Sequence, residues 1–243
     1  DRKHRPPKLT KAGETALRYA QTIVAQYDEM SDAIAERRGF RGEFKLGVIP
    51  TTLTNLLPDT LFLLRQQHPT LVVNVLSEMS GELVEMTRRK EIDAALIHRP
   101  EVIEEEFEWK DVTQQKVVVV APPGSVVSDP QAVFAKFPYI RFNRSAWVAG
   151  LIETRLEELG ITPRTQAEIQ SIEAIHLMVS LGFGASILPD VGKSDDAMRR
   201  LDFGSPPIHR TIGLLSRRDR TRKKVTSIVG KAFIEATKVG RLS

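Results

Sequence analysis

Threonine residues follow the first strongly apolar segment of this 243-residue sequence, at the start of a predicted helix. Pro50 ends the apolar segment, and the residues after it that we predict to contact a ligand are Thr51, Thr52 and Thr54. Hydroxyl groups and unpaired backbone amides at a helix start favour a bound anion. Any single one of these threonines could instead serve only to cap the helix. Their density favours a ligand contact for at least one of them.

Further polar residues follow later apolar segments. His98 comes after the third segment and could donate a hydrogen bond to a ligand, although a lone surface histidine is often incidental. Asn143 and Arg144 follow a strand near residue 140, in which alternate side chains point to opposite faces. An arginine suits a carboxylate through paired hydrogen bonds, although Arg144 could also be an exposed loop residue. Together with the threonines, Arg144 favours a small carboxylate as the ligand.

Residue patterns of familiar catalytic and cofactor sites are missing from the sequence. The histidines show no HExxH or HxH spacing, and there is no GxSxG motif and no glycine-rich phosphate loop. The chain contains no cysteine, which excludes disulfides and thiolate metal ligands and is compatible with the cytoplasm. These features favour a binding module over an enzyme, and they predict no cofactor and no metal.

The composition is that of a globular chain with a mild basic excess. Hydrophobic residues make up 41% of the sequence, and no apolar run is long enough to cross a membrane, so no membrane partner is expected. The net charge is +4, and basic residues cluster around 2–11 and 217–224. Such clusters are usually solvated surfaces, and a nucleic-acid neighbour is the alternative.

Apolar strands and amphipathic helices alternate after Gly42. Strands predicted at 44–48, 71–76 and 93–97, with helices between them, indicate a parallel sheet covered by helices. Residues 117–124, a valine-rich strand followed by Pro-Pro-Gly, predict a crossing to a second unit of the same kind.

The last strand and helix of the sequence, predicted from residue 211 onward, return to the first unit. The sequence therefore predicts an α/β protein with one lobe formed by 42–121 and 211–243 and a second lobe formed by 122–210. Ligands bind such folds in the crevice beyond the carboxyl ends of the strands, so we expect a cleft between the lobes.

Residues 1–41 form a separate segment with a long helix. Thr10 is the predicted N-cap, and apolar residues recur beyond it at alternating steps of four and three. This narrow stripe is typical of a seam between two helices, although the helix could also pack on its own domain. The stripe consists of Ala16, Ala20, Ile23, Tyr27, Met30 and Ile34.

Four segments of the chain together resemble the LysR-type transcriptional regulators. Residues 9–13 (LTKAG) resemble the junction between the family's winged helix-turn-helix and its linker helix, and 42–47 (GEFKLG) resemble the entry into the effector domain. Residues 91–96 (EIDAAL) resemble the family's third strand, with Glu91 where glycine is usual. Residues 180–189 (SLGFGASILP) resemble a further signature of the family, so the resemblance extends over nearly the whole chain.

This resemblance implies two Rossmann-like subdomains of the type II periplasmic-binding-protein kind, preceded by a long linker helix. It implies a small-molecule effector in the cleft and a homodimer or homotetramer joined through linker helices. DNA would be bound by an N-terminal winged helix-turn-helix domain missing from this sequence, and RNA polymerase would be a further partner. Arg2, Lys3 and Arg5 would be the remnant of the wing, near the DNA backbone. The effector contacts carried over are Thr51, Thr52, Thr54, His98, Asn143, Arg144 and Ser171.

Three hypotheses follow from the sequence. The first is a transcription regulator in which the effector changes the oligomer geometry. The second is a solute-binding protein of a transport system, against which the seam helix and the lack of a secretion signal argue. The third is a two-lobed enzyme such as a porphobilinogen-deaminase-like protein, whose cofactor attachment would need a cysteine that this chain lacks.

Overall fold

Two long neighbouring strands connect the two lobes of the protein. The computed structural model describes residues 10–20, 22, 23, 26, 42–192, 198–218 and 222–239. The strands are β1 (Gly42–Val48), β2 (Leu71–Ser77), β3 (Ala94–His98), β4 (Phe107–Ala121), β5 (Tyr139–Phe142), β6 (Thr165–Ile169), β7 (Ser186–Pro189), β8 (Arg199–Asp202) and β9 (His209–Arg217). The helices are α1 (residues 11–20, with the described residues 22, 23 and 26 also helical), α2 (Leu56–Gln67), α3 (Ser80–Arg88), α4 (Pro130–Lys136), α5 (Val148–Glu158), α6 (Ile172–Ser180) and α7 (Lys223–Val239), with a 3-10 turn at Pro50–Thr52.

The first lobe is a mixed sheet in the order β2-β1-β3-β9-β4. β1 is parallel to β2 and β3, whereas β9 is antiparallel to β3 and β4. The predicted parallel sheet is therefore correct for the three strands from which it was predicted, and the sheet continues with β9 and β4, for which the sequence predicts no direction. The spacing of apolar residues does not indicate the direction of a strand. The first part of β4 contains charged residues, so it does not show the apolar spacing of a strand. Helices α2 and α7 pack against each other, and α3 packs on β3.

The second lobe begins within β4 rather than after it. The segment 117–121 leaves β9 and pairs with β7 and β8, and its side chains lie in the buried cluster of the second lobe. At the crossing, the amide of Val117 donates to the carbonyl of Ile208 over 2.8 Å. The division at 121/122 and 210/211 stays a prediction, although the packing of 117–121 favours an earlier first crossing.

Helix α1 begins as predicted. The Thr10 hydroxyl oxygen accepts a hydrogen bond from the Gly13 amide over 3.0 Å, which confirms the N-cap. The described part of the apolar stripe, Ala16, Ala20 and Ile23, is exposed. The stripe residues beyond Ile23, and Arg2, Lys3 and Arg5, lie outside the described residues. No helix in the described part of the chain is long and apolar enough to span a bilayer.

Gly213 lies where Trp109 of β4 crosses the face of β9. A Cβ atom at this position would overlap the Trp109 ring and lie 2.6 Å from the Lys110 carbonyl oxygen. Gly213→Ala should therefore lower the free energy of unfolding by about 1 to 3 kcal/mol, because the two strands must separate. Urea denaturation measures this loss.

Gly230 of α7 provides the matched control for that substitution. A Cβ there would first meet the flexible Lys110 side chain, at 3.3 Å. Gly230→Ala also gains helix propensity, so its stability should be unchanged or up to about 1 kcal/mol higher. Equal stabilities of the two variants would contradict the packing described for Gly213.

Candidate functional site

Arg210 is a buried arginine at the point where the chain returns to the first lobe. It lies on β9 directly opposite Gln115 on β4, one pair inside the last pair of this ladder. Its Nε and Nη2 donate to Gln115 Oε1 over 3.0 and 2.7 Å, and Nη2 also donates to Thr51 Oγ1 over 2.7 Å. The side chain is only 3% exposed, so both connecting strands and the loop after β1 fix its position.

The charge of Arg210 has no counter-ion among the described residues. Both side chains that accept its hydrogen bonds, Gln115 and Thr51, are neutral, and Nη1 has no hydrogen-bond partner in the described part of the chain. Burial lowers the pKa of Arg210 to about 9, so the group still carries its charge at neutral pH. A buried charge without an opposite partner is destabilising, and an anion that reached Nη1 would relieve this cost.

Arg210 lies between an open cleft and a small inner chamber. The open cleft has a volume of about 960 Å³ and is lined by both lobes, including Arg99 and Arg155. The inner chamber encloses about 20 Å³, enough for roughly one water molecule. His98, Trp147 and Arg210 line both spaces, so the three side chains separate them.

His98 is held neutral beside Arg210. Its Nδ1 is buried without a hydrogen-bond partner among the described residues. Burial, and then repulsion by Arg210, lower the pKa of His98 to about 4. The ring can therefore offer a neutral donor or acceptor to a ligand, but it adds no positive charge at neutral pH.

Thr51 and His98 are the predicted ligand contacts that the structure brings together at Arg210. Thr52 is fully buried, and its hydroxyl donates to the Ile49 carbonyl over 2.8 Å, so it closes the turn after β1. Asn143 lines neither space, and its Oδ1 accepts from the Ser145 amide over 2.8 Å. Its Nδ2 points across the cleft to Met79 Sδ at 3.6 Å.

Thr54 and Ser171 meet at a different contact between the lobes. The Thr54 hydroxyl donates to Glu173 Oε1 over 3.0 Å, and the Ser171 hydroxyl donates to Glu173 Oε2 over 2.7 Å. Burial acts to raise the pKa of Glu173, but the hydrogen bonds from Ser171 and Thr54 outweigh it and lower that pKa. Ser171 also caps α6 by accepting from the Ala174 amide. This contact, which we call the Glu173 latch, consists of Thr54, Ser171 and Glu173.

Arg144 faces a carboxylate of its own chain. Its amide and its Nε donate to the two Glu168 carboxylate oxygens over 3.2 and 3.0 Å. The backbone hydrogen bond, and less strongly the guanidinium, lower the pKa of Glu168. The argument for an anionic ligand therefore rests on Arg210 rather than on Arg144.

The sequence does not predict Arg210 and Gln115 as site residues. Gln115 lies in the part of β4 that has no strand-like pattern, and Arg210 stands just before the strand predicted at 211–215. The only available signal is the position of Arg210 at the predicted return between the lobes. Hydrogen bonding between residues this far apart in sequence leaves no pattern in a single chain.

The buried state of His98 predicts a pH-dependent stability. The unfolded chain binds a proton near pH 6.5 and the folded protein only near pH 4, so stability falls as the pH decreases through this range. His98→Gln should remove about 1 to 2 kcal/mol of that loss, allowing for solvent screening of the partly exposed ring. Urea denaturation of both proteins at about pH 7 and about pH 5 tests this. An identical pH dependence would contradict the assigned environment of His98.

Comparison with known proteins identifies the family. A family model described as the LysR substrate binding domain matches residues 37–236. A probable RuBisCO transcriptional regulator of Cyanidium caldarium is 25% identical over 240 residues, covering 93% of this chain and 76% of that protein. A similar regulator of Trieres chinensis is 27% identical over 196 residues, covering 74% of this chain and 62% of that protein. A probable hydrogen peroxide-inducible genes activator of Mycobacterium leprae is 25% identical over 241 residues, covering 92% and 76%.

Solved structures share the fold. The effector binding domain of QuiR in complex with shikimate has a TM-score of 0.68 at 20% identity, covering 82% of this chain and 98% of that one. The reduced OxyR regulatory domain from Pseudomonas aeruginosa has a TM-score of 0.65 at 20% identity, covering 80% and 96%. These likenesses confirm the predicted type II periplasmic-binding-protein fold, and the matched regulators lend no support to the solute-binding alternative. The family match over most of the chain shows that this protein belongs to the LysR-type transcriptional regulators and contains their effector-binding domain.

Proposed function

We propose that this domain senses a small molecule with an anionic group, which binds between the lobes at Arg210. The proposal rests on one observation, a buried arginine on a connecting strand without a carboxylate partner among the described residues. Thr51 and His98 would contribute neutral contacts. Thr52, Thr54, Asn143, Arg144 and Ser171, which the family resemblance also implies, make hydrogen bonds within the chain and would contribute less.

Among the described residues, few hydrogen bonds hold the lobes together outside the connecting strands. Thr54 bonds to the Glu173 carboxylate at the latch, the Asn55 side-chain amide donates to the Val191 carbonyl over 3.4 Å, and Asn143 approaches Met79. A neutral hydrogen bond contributes about 0.5 to 1.5 kcal/mol, and one to a charged carboxylate about 1.5 to 3 kcal/mol. A ligand that contacts both lobes can therefore change their relative orientation, by favouring one arrangement.

The change of orientation would reach DNA through α1. The exposed stripe of this helix supports pairing with a second copy, giving a homodimer or homotetramer. In the full-length protein, an N-terminal winged helix-turn-helix domain would bind DNA, and Arg2, Lys3 and Arg5 would contact its backbone. RNA polymerase is a further proposed partner, and the proposed location is the cytoplasm. The regulatory relatives support a non-enzymatic role without a cofactor.

The proposed signal for this domain is the binding of a small molecule and not the oxidation of a thiol. The names of two matched proteins refer to hydrogen peroxide and to a reduced form. This chain contains no cysteine, so oxidation of a thiol cannot be its signal. Reversible binding of an effector is the remaining mode of response that the cleft supports.

Replacing Arg210 should abolish the response to an effector. A ligand found by thermal-shift screening should stabilise the wild type by about 2.7 kcal/mol at 100 times its dissociation constant. Arg210→Met should bind it roughly 10- to 100-fold more weakly, because charge-assisted hydrogen bonds are lost. Arg99→Met is the matched control, since Arg99 lines the same cleft but is paired with Asp111, and it should bind nearly normally. Calorimetric titration measures all three affinities.

Small-angle scattering of the full-length oligomer tests whether ligand binding changes its shape. A ligand concentration that just saturates the wild type should change its profile, and it should change the profile of Arg210→Met much less. An identical wild-type profile with and without bound ligand would overturn the proposed change of lobe orientation.

The seam role of α1 is tested separately at Ile23, whose side chain is 64% exposed. Ile23→Glu should raise the dimer dissociation constant by about tenfold or more, because an unpaired charge in an apolar seam costs more than about 1.4 kcal/mol. Thr22→Glu places the same charge next to the stripe and should have little effect. Sedimentation velocity over a concentration series measures the dimer dissociation constants of both variants. If both constants equal that of the wild type, the proposed helix seam is refuted.

A further inference from the structure

The open cleft contains one arginine without a carboxylate partner. Arg99 Nη1 donates to Asp111 Oδ1 over 3.1 Å. Arg155 Nε lies 2.8 Å from Glu158 Oε2, an ion pair without hydrogen-bond geometry, and its Nη1 donates to the Pro206 carbonyl. Among the described arginines of the cleft, only Arg210 lacks such a partner, so the cleft offers a single positive charge to a ligand.

Gln115 keeps that charge available. Its Oε1 accepts from both Nε and Nη2 of Arg210, and the side chain is 6% exposed. A glutamate has the same shape and would meet the same two donors as a carboxylate, which is the paired geometry that arginine favours. The neutral amide therefore orients the guanidinium and directs Nη1 to the ligand without neutralising the charge.

Glu101 in the lining of the cleft limits the charge that a ligand can carry. One negative charge on the ligand neutralises Arg210. A second one would lie near the Glu101 carboxylate, while Arg99 and Arg155 are already paired, which is costly in a partly buried site. A neutral ligand would leave Arg210 unpaired. Trp147, 38% exposed, provides an apolar surface for the uncharged part of the molecule.

We infer that the effector is a monoanion with a carboxylate group bound to Nη1 of Arg210, and that Gln115 is the positioning residue that makes the cleft select for a single charge. This inference rests on the proposed function and adds the chemical class of the ligand. Phosphate esters, dicarboxylates and neutral amides are excluded as preferred ligands on the same grounds.

Matched probes test the class on the full-length wild type. Each probe set has one body, a benzene ring, a cyclohexane ring or a propyl chain, carrying a carboxylate, an amide or a phosphate monoester. In at least one set, calorimetric titration should show that the carboxylate probe binds at least about tenfold more tightly than the amide and the phosphate monoester with the same body. The inference is overturned if an amide or phosphate equals its carboxylate, or if no carboxylate binds.

Gln115→Glu tests the positioning role. It should melt at the same temperature as the ligand-free wild type or higher, since the new carboxylate pairs with Arg210, and it should bind the carboxylate probe about 100-fold more weakly. Gln114→Glu is the matched control, because Gln114 is exposed and points to the other face of β4. This control should retain binding.

The two measurements together distinguish selection from misfolding. A lower melting temperature of Gln115→Glu, or unchanged carboxylate binding, would refute the role of Gln115. A neutral or phosphorylated ligand that requires Arg210 for binding and alters the scattering profile would overturn the assignment of a monoanionic carboxylate. Such a result would leave the proposed function intact. If no ligand of any charge binds in the cleft, both fail.

Discussion

The uncompensated charge of Arg210 is the constraint on which the site depends. A guanidinium at 3% exposure needs hydrogen-bond acceptors, and the chain supplies Gln115 and Thr51, which are neutral. Burial, and then the same charge, hold His98 neutral, and Arg210 lines the space between the lobes. The other two arginines that line the open cleft each lie beside a carboxylate, Arg99 beside Asp111 and Arg155 beside Glu158. This difference supports the proposed role of Arg210 as a binding group.

The two-lobed fold places this group where the lobes join. β4 and β9 form an antiparallel ladder with a register shift between Asp111 and Thr113, which extends to the pair Lys116–His209, and beyond it their partners differ. The lobes have separate buried clusters, and the described contact at Glu173 between them is partly exposed. Because Arg210 lies one pair from this divergence, a ligand on it would contact the junction of the two lobes. A site within either lobe would lack this position.

The sequence predicts the elements better than the site, for physical reasons. Helices such as α5 have apolar positions that follow one period, and a single chain displays this period directly. The first part of β4 is stabilised by pairing with β9 despite Glu108, Lys110 and Asp111, so no local pattern reveals it. Thr51 could be predicted because it follows a strand end. Thr54 follows the same strand, but only tertiary structure shows that it reaches Glu173.

The energies involved are sufficient for a ligand-controlled change of orientation. A ligand can shift a protein from almost entirely one lobe arrangement to almost entirely the other. This shift requires that its binding free energy to the two arrangements differ by about 5.5 kcal/mol. Hydrogen bonds to a charged group contribute about 1.5 to 3 kcal/mol each, and Nη1 of Arg210 has two hydrogens to donate. Contact of the ligand with Trp147 in the second lobe adds apolar burial. The inter-lobe hydrogen bond at Val191 is neutral and therefore weaker, whereas Thr54 makes a single hydrogen bond to the charged Glu173 carboxylate. Under the proposed function, two hydrogen bonds from Nη1 together with the apolar contact would outweigh that single bond.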